Sequence, residues 1–242
     1  SHLKYDKKRR EVKVCELDVF ESPRYFEALI KNRNCEEVPY LAGRICGICN
    51  VAHLTGSILA VEDALDIKPS DQTKKLRELM VLGAMFHSHV LQLYFLALPD
   101  YLGYSSALEM KGKDIELLNR CLRLKEAGND IVNAIGGRSM HPLTPAVGGF
   151  RKLPPQKEIN KLLKKLKSVR KDALETVKLF SSIDSPDFTR QNDYLSLKSR
   201  NKYPYMEANF GTETEDFKPS DYDKKLKEKV MKHSTSKHVT MN

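Results

Sequence analysis

Two cysteines three residues apart stand in the run Arg44-Ile45-Cys46-Gly47-Ile48-Cys49, with His53 one helical turn further along. Thiols at this spacing can approach one metal ion from the same side. The residues from about Cys46 to Leu65 read as a helix, with Leu54, Ile58, Val61 and Leu65 on one face. A cysteine pair opening that helix has the free amides of the first turn to help keep its sulfurs ionised. His53 lies over the same helical face as Cys49 and can hydrogen-bond a thiolate, or be a histidine satisfied within the core. Arg44 offers positive charge beside the sulfurs, or pairs with an acid elsewhere.

Taken alone, the pair leaves three chemistries open. A structural zinc site needs two further ligands at suitable spacing, whereas Cys15, Cys35 and Cys121 each stand alone. A thioredoxin-like redox pair follows a strand within a βαβ unit, and the neighbouring pattern here is helical. Ligation of another metal is the third. Further along, Leu76, Met80, Gly83, His87, Val90 and Tyr94 share one stripe of a helix. His87 therefore interrupts an apolar face, where an imidazole requires a partner; His89 points elsewhere.

The elements that must position these groups are mostly helical. Glu11 to Phe20 alternates as a strand, and Ser22-Pro23 starts a helix through Phe26, Leu29 and Ile30. Pro69-Ser70-Asp71 is a stop followed by a new start, opening a helix from about Gln72 to Leu98 that Pro99-Asp100 closes. Another spans about Asp114 to Ile135 and ends in Gly136-Gly137. Pro142 to Pro155, with four prolines and two glycines, reads as a structured or ligand-facing loop. A basic helix follows, then a stretch from Gln191 to Lys218 that can hold short strands, then a surface helix from Asp221 to Met231. The expected fold is mainly α with minor β (α+β), built on a core of long helices.

The chain has 242 residues, 41 Lys and Arg against 32 acids, and a formal net charge of +9. The excess is concentrated between Arg151 and Lys178, with ten Lys or Arg against three acids. The same stretch carries an apolar helical stripe, so its lysines fill a solvated face, and no aromatic interleaving supports nucleic-acid binding. No G-x-G-x-x-G or phosphate-loop pattern supports nucleotide binding. No apolar run approaches a membrane span, the densest being Val90 to Pro99, and no secretory signal is visible. Five unevenly placed cysteines do not read as a disulfide framework, so a reducing cytoplasm is expected.

The Arg44–Cys49 run with His53 resembles the first metal-binding motif of the large subunit of nickel–iron hydrogenases. Pro23-Arg-Tyr-Phe-Glu27, nineteen residues before Cys46, is similar to the family's segment ending in Gly-Phe-Glu. Ala60-Val-Glu-Asp-Ala-Leu65 resembles the helix after the cysteines, and His87-Ser-His89 with Tyr94 to Asp100 resembles the family's histidine helix. Gly136-Gly-Arg-Ser-Met-His-Pro142 and Val147-Gly-Gly-Phe150 resemble the cytoplasmic branch that serves soluble acceptors, and His233 to Lys237 resembles a segment well before the family's end.

The resemblance implies one large-subunit domain over residues 1–242, comprising a β/α entry segment (1–45), a helical core (46–183) and an irregular segment with strands (184–242). It implies reversible heterolysis of dihydrogen at a nickel–iron centre carrying carbon monoxide and cyanide. Cys46 is the implied terminal nickel ligand and Cys49 the bridge between nickel and iron. Glu27 is the implied ligand of a buried magnesium (or iron) ion, and His53, Arg44 and His87 surround the metal ligands. The implied partners are an iron–sulfur small subunit, which alone holds the clusters, and further electron-transfer subunits.

The likeness also implies a large subunit incomplete at both ends. Ser1-His2 resembles the close of an Arg-x-Glu-Gly-His segment whose proton-relaying glutamate is absent, and the second cysteine pair is missing. A non-catalytic subunit like that of respiratory complex I, and a structural zinc module, are the competing readings. Retention of both cysteines argues against the first.

Overall fold

The computed structural model describes residues 1–21, 24–184, 187–206 and 208–241. These form two compact units, one from residues 1–31 with 188–242 and the other from residues 32–187. Helices dominate and the strands are short, the mainly α arrangement with minor β expected from the sequence.

The unit 32–187 is the helical one. A short helix α2 (Val38–Ala42) precedes the cysteine turn, and α3 (Asn50–Ala64) follows it. The capping signal at Ser70 works as read: its hydroxyl accepts from the Thr73 amide and starts α4 (Asp71–Leu91). A π-helical turn (Gln92–Ala97) then leads directly into α5 (Leu98–Leu102). Pro99 therefore does not close the helix as expected. It falls in the first turn of α5, where its missing N–H breaks no ladder bond, and Gly103 at φ 76° makes the stop. Helix α6 (Ile115–Gly136) ends at Gly137, whose φ of 81° is a left-handed cap. The expected loop after it contains a two-residue hairpin, β3 (Pro145–Ala146) with β4 (Gly149–Phe150), and α7 (Gln156–Ser181) is the basic helix.

The core sits between α4, α6 and α7. Val90, Tyr94, Leu98, Leu124, Ala127 and Val169 form its centre. Helices α4 and α6 approach so closely that a methyl group on Gly128 would lie 2.8 Å from the His87 backbone nitrogen. Tyr94 shares a 2.7 Å hydrogen bond with Thr176, and Arg123 grips Asp172 through two donors at 2.7 and 3.0 Å, joining α7 to the rest.

Together α4, the π turn and α5 form one 32-residue helix, Asp71–Leu102, long and apolar enough by length and composition to cross a membrane. The expectation that no segment approaches that length does not hold. Averaged over 18 residues, the surrounding leucines and aromatics outweigh the polar residues from His87 to Gln92 that interrupt the run. One third of that window is buried within the protein, and the same helix carries the buried Arg77.

In the other unit, β1 (His2–Asp6) pairs antiparallel with β2 (Glu11–Glu16), and α1 (Tyr25–Ile30) follows. The expected start of α1 at Ser22-Pro23 lies outside the described residues. A three-stranded antiparallel sheet, β5 (Ser196–Lys198), β6 (Asn209–Gly211) and β7 (Asp216–Phe217), supplies the short strands expected after Gln191. The surface helix expected over Asp221 to Met231 is a single turn, α8 (Tyr222–Lys225). It gives way to β8 (Leu226–Lys229), which pairs with β9 (His238–Met241). Leu226 is buried while Lys227, Glu228 and Lys229 are exposed, and pairing with β9 decides the outcome.

Candidate metal centre

The cysteine pair lies in the turn before α3, not in its first turn: Cys49 is the N-cap, and the helix begins at Asn50. The turn nevertheless turns an amide toward a sulfur, since the Cys49 N–H donates to Cys46 Sγ at 3.2 Å. Cys46 is half-buried and Cys49 exposed. Burial pushes the Cys46 thiol up, but hydrogen bonds from the Cys49 thiol and from the Cys49 and Ile48 amides together outweigh it and hold the thiol below its ordinary range. Burial and the neighbouring Cys46 sulfur push Cys49 in the other direction. The two thiols of the pair are thus shifted in opposite directions.

Residues 141–151, remote in sequence, hold this turn and the helix before it. The Asn50 side chain, almost fully buried, donates to the Gly47 carbonyl at 2.6 Å and accepts the His141 amide at 3.1 Å. The His141 ring Nδ1 lies 2.8 Å from the Gly43 carbonyl. Tyr40 donates to the Pro145 carbonyl at 2.7 Å, and the Arg151 guanidinium lies over the Tyr40 ring at 4.7 Å. The β3–β4 hairpin is fixed in turn by a buried ion pair. Arg77 binds both carboxylate oxygens of Glu62, at 2.6 and 2.8 Å, and donates to the Ala146 carbonyl at 3.0 Å, while Glu62 accepts the Gly148 amide at 2.7 Å.

The other residues singled out from the sequence are distributed differently. His53 follows on α3, half-buried, its amide 3.3 Å from the Cys49 carbonyl. Arg44 is exposed and lines a cavity of about 20 Å³ together with Tyr40, Arg138 and His141. His87 is buried at the α4–α6 contact, and neither ring nitrogen has a hydrogen-bond partner. The partner that its place on an apolar face demanded is absent among the described residues. Burial, reinforced by the Lys125 charge, holds its pKa below the usual 6.5.

Glu27 belongs to the other unit. It is half exposed rather than buried, with Arg24 at 3.6 Å and Lys237 at 3.5 Å from its two oxygens. It belongs to no cluster of His, Cys, Asp or Glu side chains among the described residues that could hold a cation.

Asn50, Glu62 and Arg77 were not singled out from the sequence. Asn50 sits next to the cysteines, yet its partners are fixed only by the fold. The intervals of 15 residues between Glu62 and Arg77 and 91 between Asn50 and His141 leave no local pattern.

Among the described residues no three His, Cys, Asp or Glu side chains cluster in a way that could hold a metal. A closed structural zinc site therefore lacks ligands, and the helix preceding the pair (α2) removes the strand that a thioredoxin-like motif follows. The pair fits one part of a larger thiolate set for a soft metal.

Residues 24–122 match the family described as nickel-dependent hydrogenase. The chain is 34% identical over 233 residues to the sulfhydrogenase 1 alpha subunit of Pyrococcus furiosus, covering 94% of this chain and 54% of that protein. The chain belongs to the nickel-dependent hydrogenase family. The sulfhydrogenase 2 alpha subunit of the same organism is 41% identical over 172 residues, covering 71% of this chain and 42% of the relative. This hydrogenase-family chain thus spans about half the length of the curated relatives it matches. Its fold is that of a solved NAD+-reducing [NiFe]-hydrogenase in the H2-reduced state, with a TM-score of 0.88 over 99% of this chain and 58% of that one, at 23% identity.

Proposed function

We propose that this chain is part of the catalytic large subunit of a nickel–iron hydrogenase of the branch serving soluble acceptors, catalysing the reversible heterolysis of dihydrogen. The observation that carries this reading is the Cys46–Cys49 turn, with the Cys49 amide on Cys46 Sγ, in a chain of the nickel-dependent hydrogenase family. Cys46 would hold nickel as a terminal ligand and Cys49 would bridge nickel to iron, two further thiolates coming from outside these 242 residues. The iron would carry carbon monoxide and cyanide.

When bound, the centre supplies the Lewis acidity that polarises dihydrogen. The chain's own part is to hold two sulfurs in a fixed turn. It also keeps Cys46 inclined to the thiolate and places His53 one turn beyond Cys49 on α3. Ile45 and Ile48 flank the sulfurs and are exposed, which supports a partner covering this face. An iron–sulfur small subunit, passing electrons to further subunits, fits that place. Five free cysteines support a cytoplasmic setting.

Dihydrogen-dependent reduction of a viologen dye by the complex purified with its iron–sulfur subunit tests the reading. Activity that Cys46→Ser and Cys49→Ser each abolish is the expected result. Activity unchanged by both substitutions contradicts it. A bound zinc, lost with Cys46→Ser and accompanied by no nickel, would favour the structural-module reading.

A further inference from the structure

Three hydrogen bonds meet at His141, and two of them reach opposite sides of the cysteine turn. Its Nδ1 faces the Gly43 carbonyl, three residues before Cys46, at 2.8 Å. A carbonyl only accepts, so Nδ1 carries the proton. Its backbone N–H donates at 3.1 Å to Asn50 Oδ1, on the residue immediately after Cys49. Asn50 passes the restraint inward by donating from Nδ2 to the Gly47 carbonyl between the two cysteines. His141 is itself held in the left-handed region, at φ 53°, and its carbonyl accepts Arg138 Nε at 2.6 Å. A non-glycine residue in that conformation persists only where its surroundings hold it.

We propose that His141 is a positioning residue for the metal-binding thiols, bracketing the Cys46–Cys49 turn from both sides so that the two sulfurs stay aimed at one ion. The inference rests on the nickel–iron reading for what the sulfurs hold, but the bracket itself is a property of residues 43–50 and 141. Without the ring, the Gly43 carbonyl loses its restraint, and of the two ties from residue 141 to the turn only the one through Asn50 remains. The closing Cys49 amide to Cys46 Sγ contact then opens more often. A metal that must find both sulfurs in one geometry loses affinity by the same factor, because its binding-competent state is less populated.

Amide hydrogen exchange on the purified chain tests this, comparing wild type with His141→Ala and His141→Asn. In His141→Ala the amides of residues 43–50 exchange about five-fold faster, as expected for one lost hydrogen bond, while residues 124–132 of α6 are unchanged. His141→Asn restores most of the protection, since asparagine tolerates positive φ and carries an amide where the ring nitrogen stood. Unchanged exchange over 43–50 in His141→Ala overturns the proposal. So does an equal rise throughout residues 32–187 that asparagine fails to rescue.

Should His141→Ala not fold, Asn50→Asp decides. It keeps the acceptor for His141 and loses the donor to Gly47, so faster exchange confined to 46–49 supports the bracket, and none overturns it. Titration with Ni(II) alone gives a second readout. The thiolate-to-nickel absorption should need about five-fold more metal in His141→Ala and recover in His141→Asn. Equal affinity in all three overturns the role in positioning. Absence of that absorption in wild type counts against the nickel reading and not against the bracket, which the exchange pattern then decides.

Discussion

Arg77 on α4 and Glu62 on α3 form a bidentate ion pair, with side chains 1% and 4% exposed. Four hydrogen bonds leave the pair or join it: two between the partners, one from Arg77 to Ala146 and one from Gly148 to Glu62. A charge so far from water persists only with its partner in place. The pair therefore ties the packing of α3 on α4 to the β3–β4 hairpin, which lies four residues beyond His141.

Arg77→Met leaves the Glu62 carboxylate buried and unpaired, and is expected to destabilise the protein by about 3–5 kcal/mol. Adding Glu62→Leu removes the orphaned charge and recovers most of the loss, although the hairpin has then lost its two bonds to the ion pair. Urea denaturation of the two variants checks this. A double variant no more stable than Arg77→Met would show that the hydrogen bonds to the hairpin, and not the charge, dominate.

His87 makes stability depend on acid. Its folded pKa lies below the unfolded value, so below about pH 6.5 the unfolded chain binds a proton that the folded chain does not. Stability is therefore full above that pH and falls as pH drops through and below it. His87→Leu, which removes two unpartnered nitrogens from the α4–α6 contact, should flatten the fall in denaturation midpoint between pH 7.5 and 5.5. An identical slope in both proteins would place the acid sensitivity elsewhere.

Gly128 cannot accept a side chain without moving α4. A Cβ there would lie 2.8 Å from both the backbone nitrogen and the Cβ of His87. Gly128→Ala should cost about 1–3 kcal/mol by overpacking, read as a lower melting temperature. Helix propensity alone would predict the opposite sign, since alanine is the better helix former.

Cysteine reactivity separates the thiols. Burial pushes Cys121 up to about 11, so it stays protonated and unreactive near neutral pH, whereas the amides around Cys46 favour its thiolate. Iodoacetamide at pH 7.5, followed by peptide mass mapping, should modify Cys46 ahead of Cys49 and leave Cys121 intact in the folded chain. Modification of Cys121 at the rate of Cys46 would contradict the packing described.

What the sequence showed and what it hid follow from the range of the interactions. The helices α6 and α7 were legible because a 3.6-residue stripe and a terminal Gly137 or Pro155 are local signals, and the Ser70 cap needs only its own next turn. The cysteine pair was legible for the same reason. The β8 strand was read as helix because its partner, β9, is supplied by a segment about ten residues away that carried no strand signal of its own. The π turn that carries the chain past Pro99 has no composition signature. The restraints on the site, Asn50 to His141 and Glu62 to Arg77, join side chains brought together only by tertiary packing, so no spacing along the chain announces them.

Infrared spectroscopy of the complex assembled with its iron–sulfur subunit tests the central claim most directly. Bands of iron-bound carbon monoxide and cyanide that shift under dihydrogen and disappear in Cys49→Ser are the predicted result. A complex that takes up no dihydrogen, shows no such bands and retains its metals when Cys46 and Cys49 are both replaced by serine would contradict it.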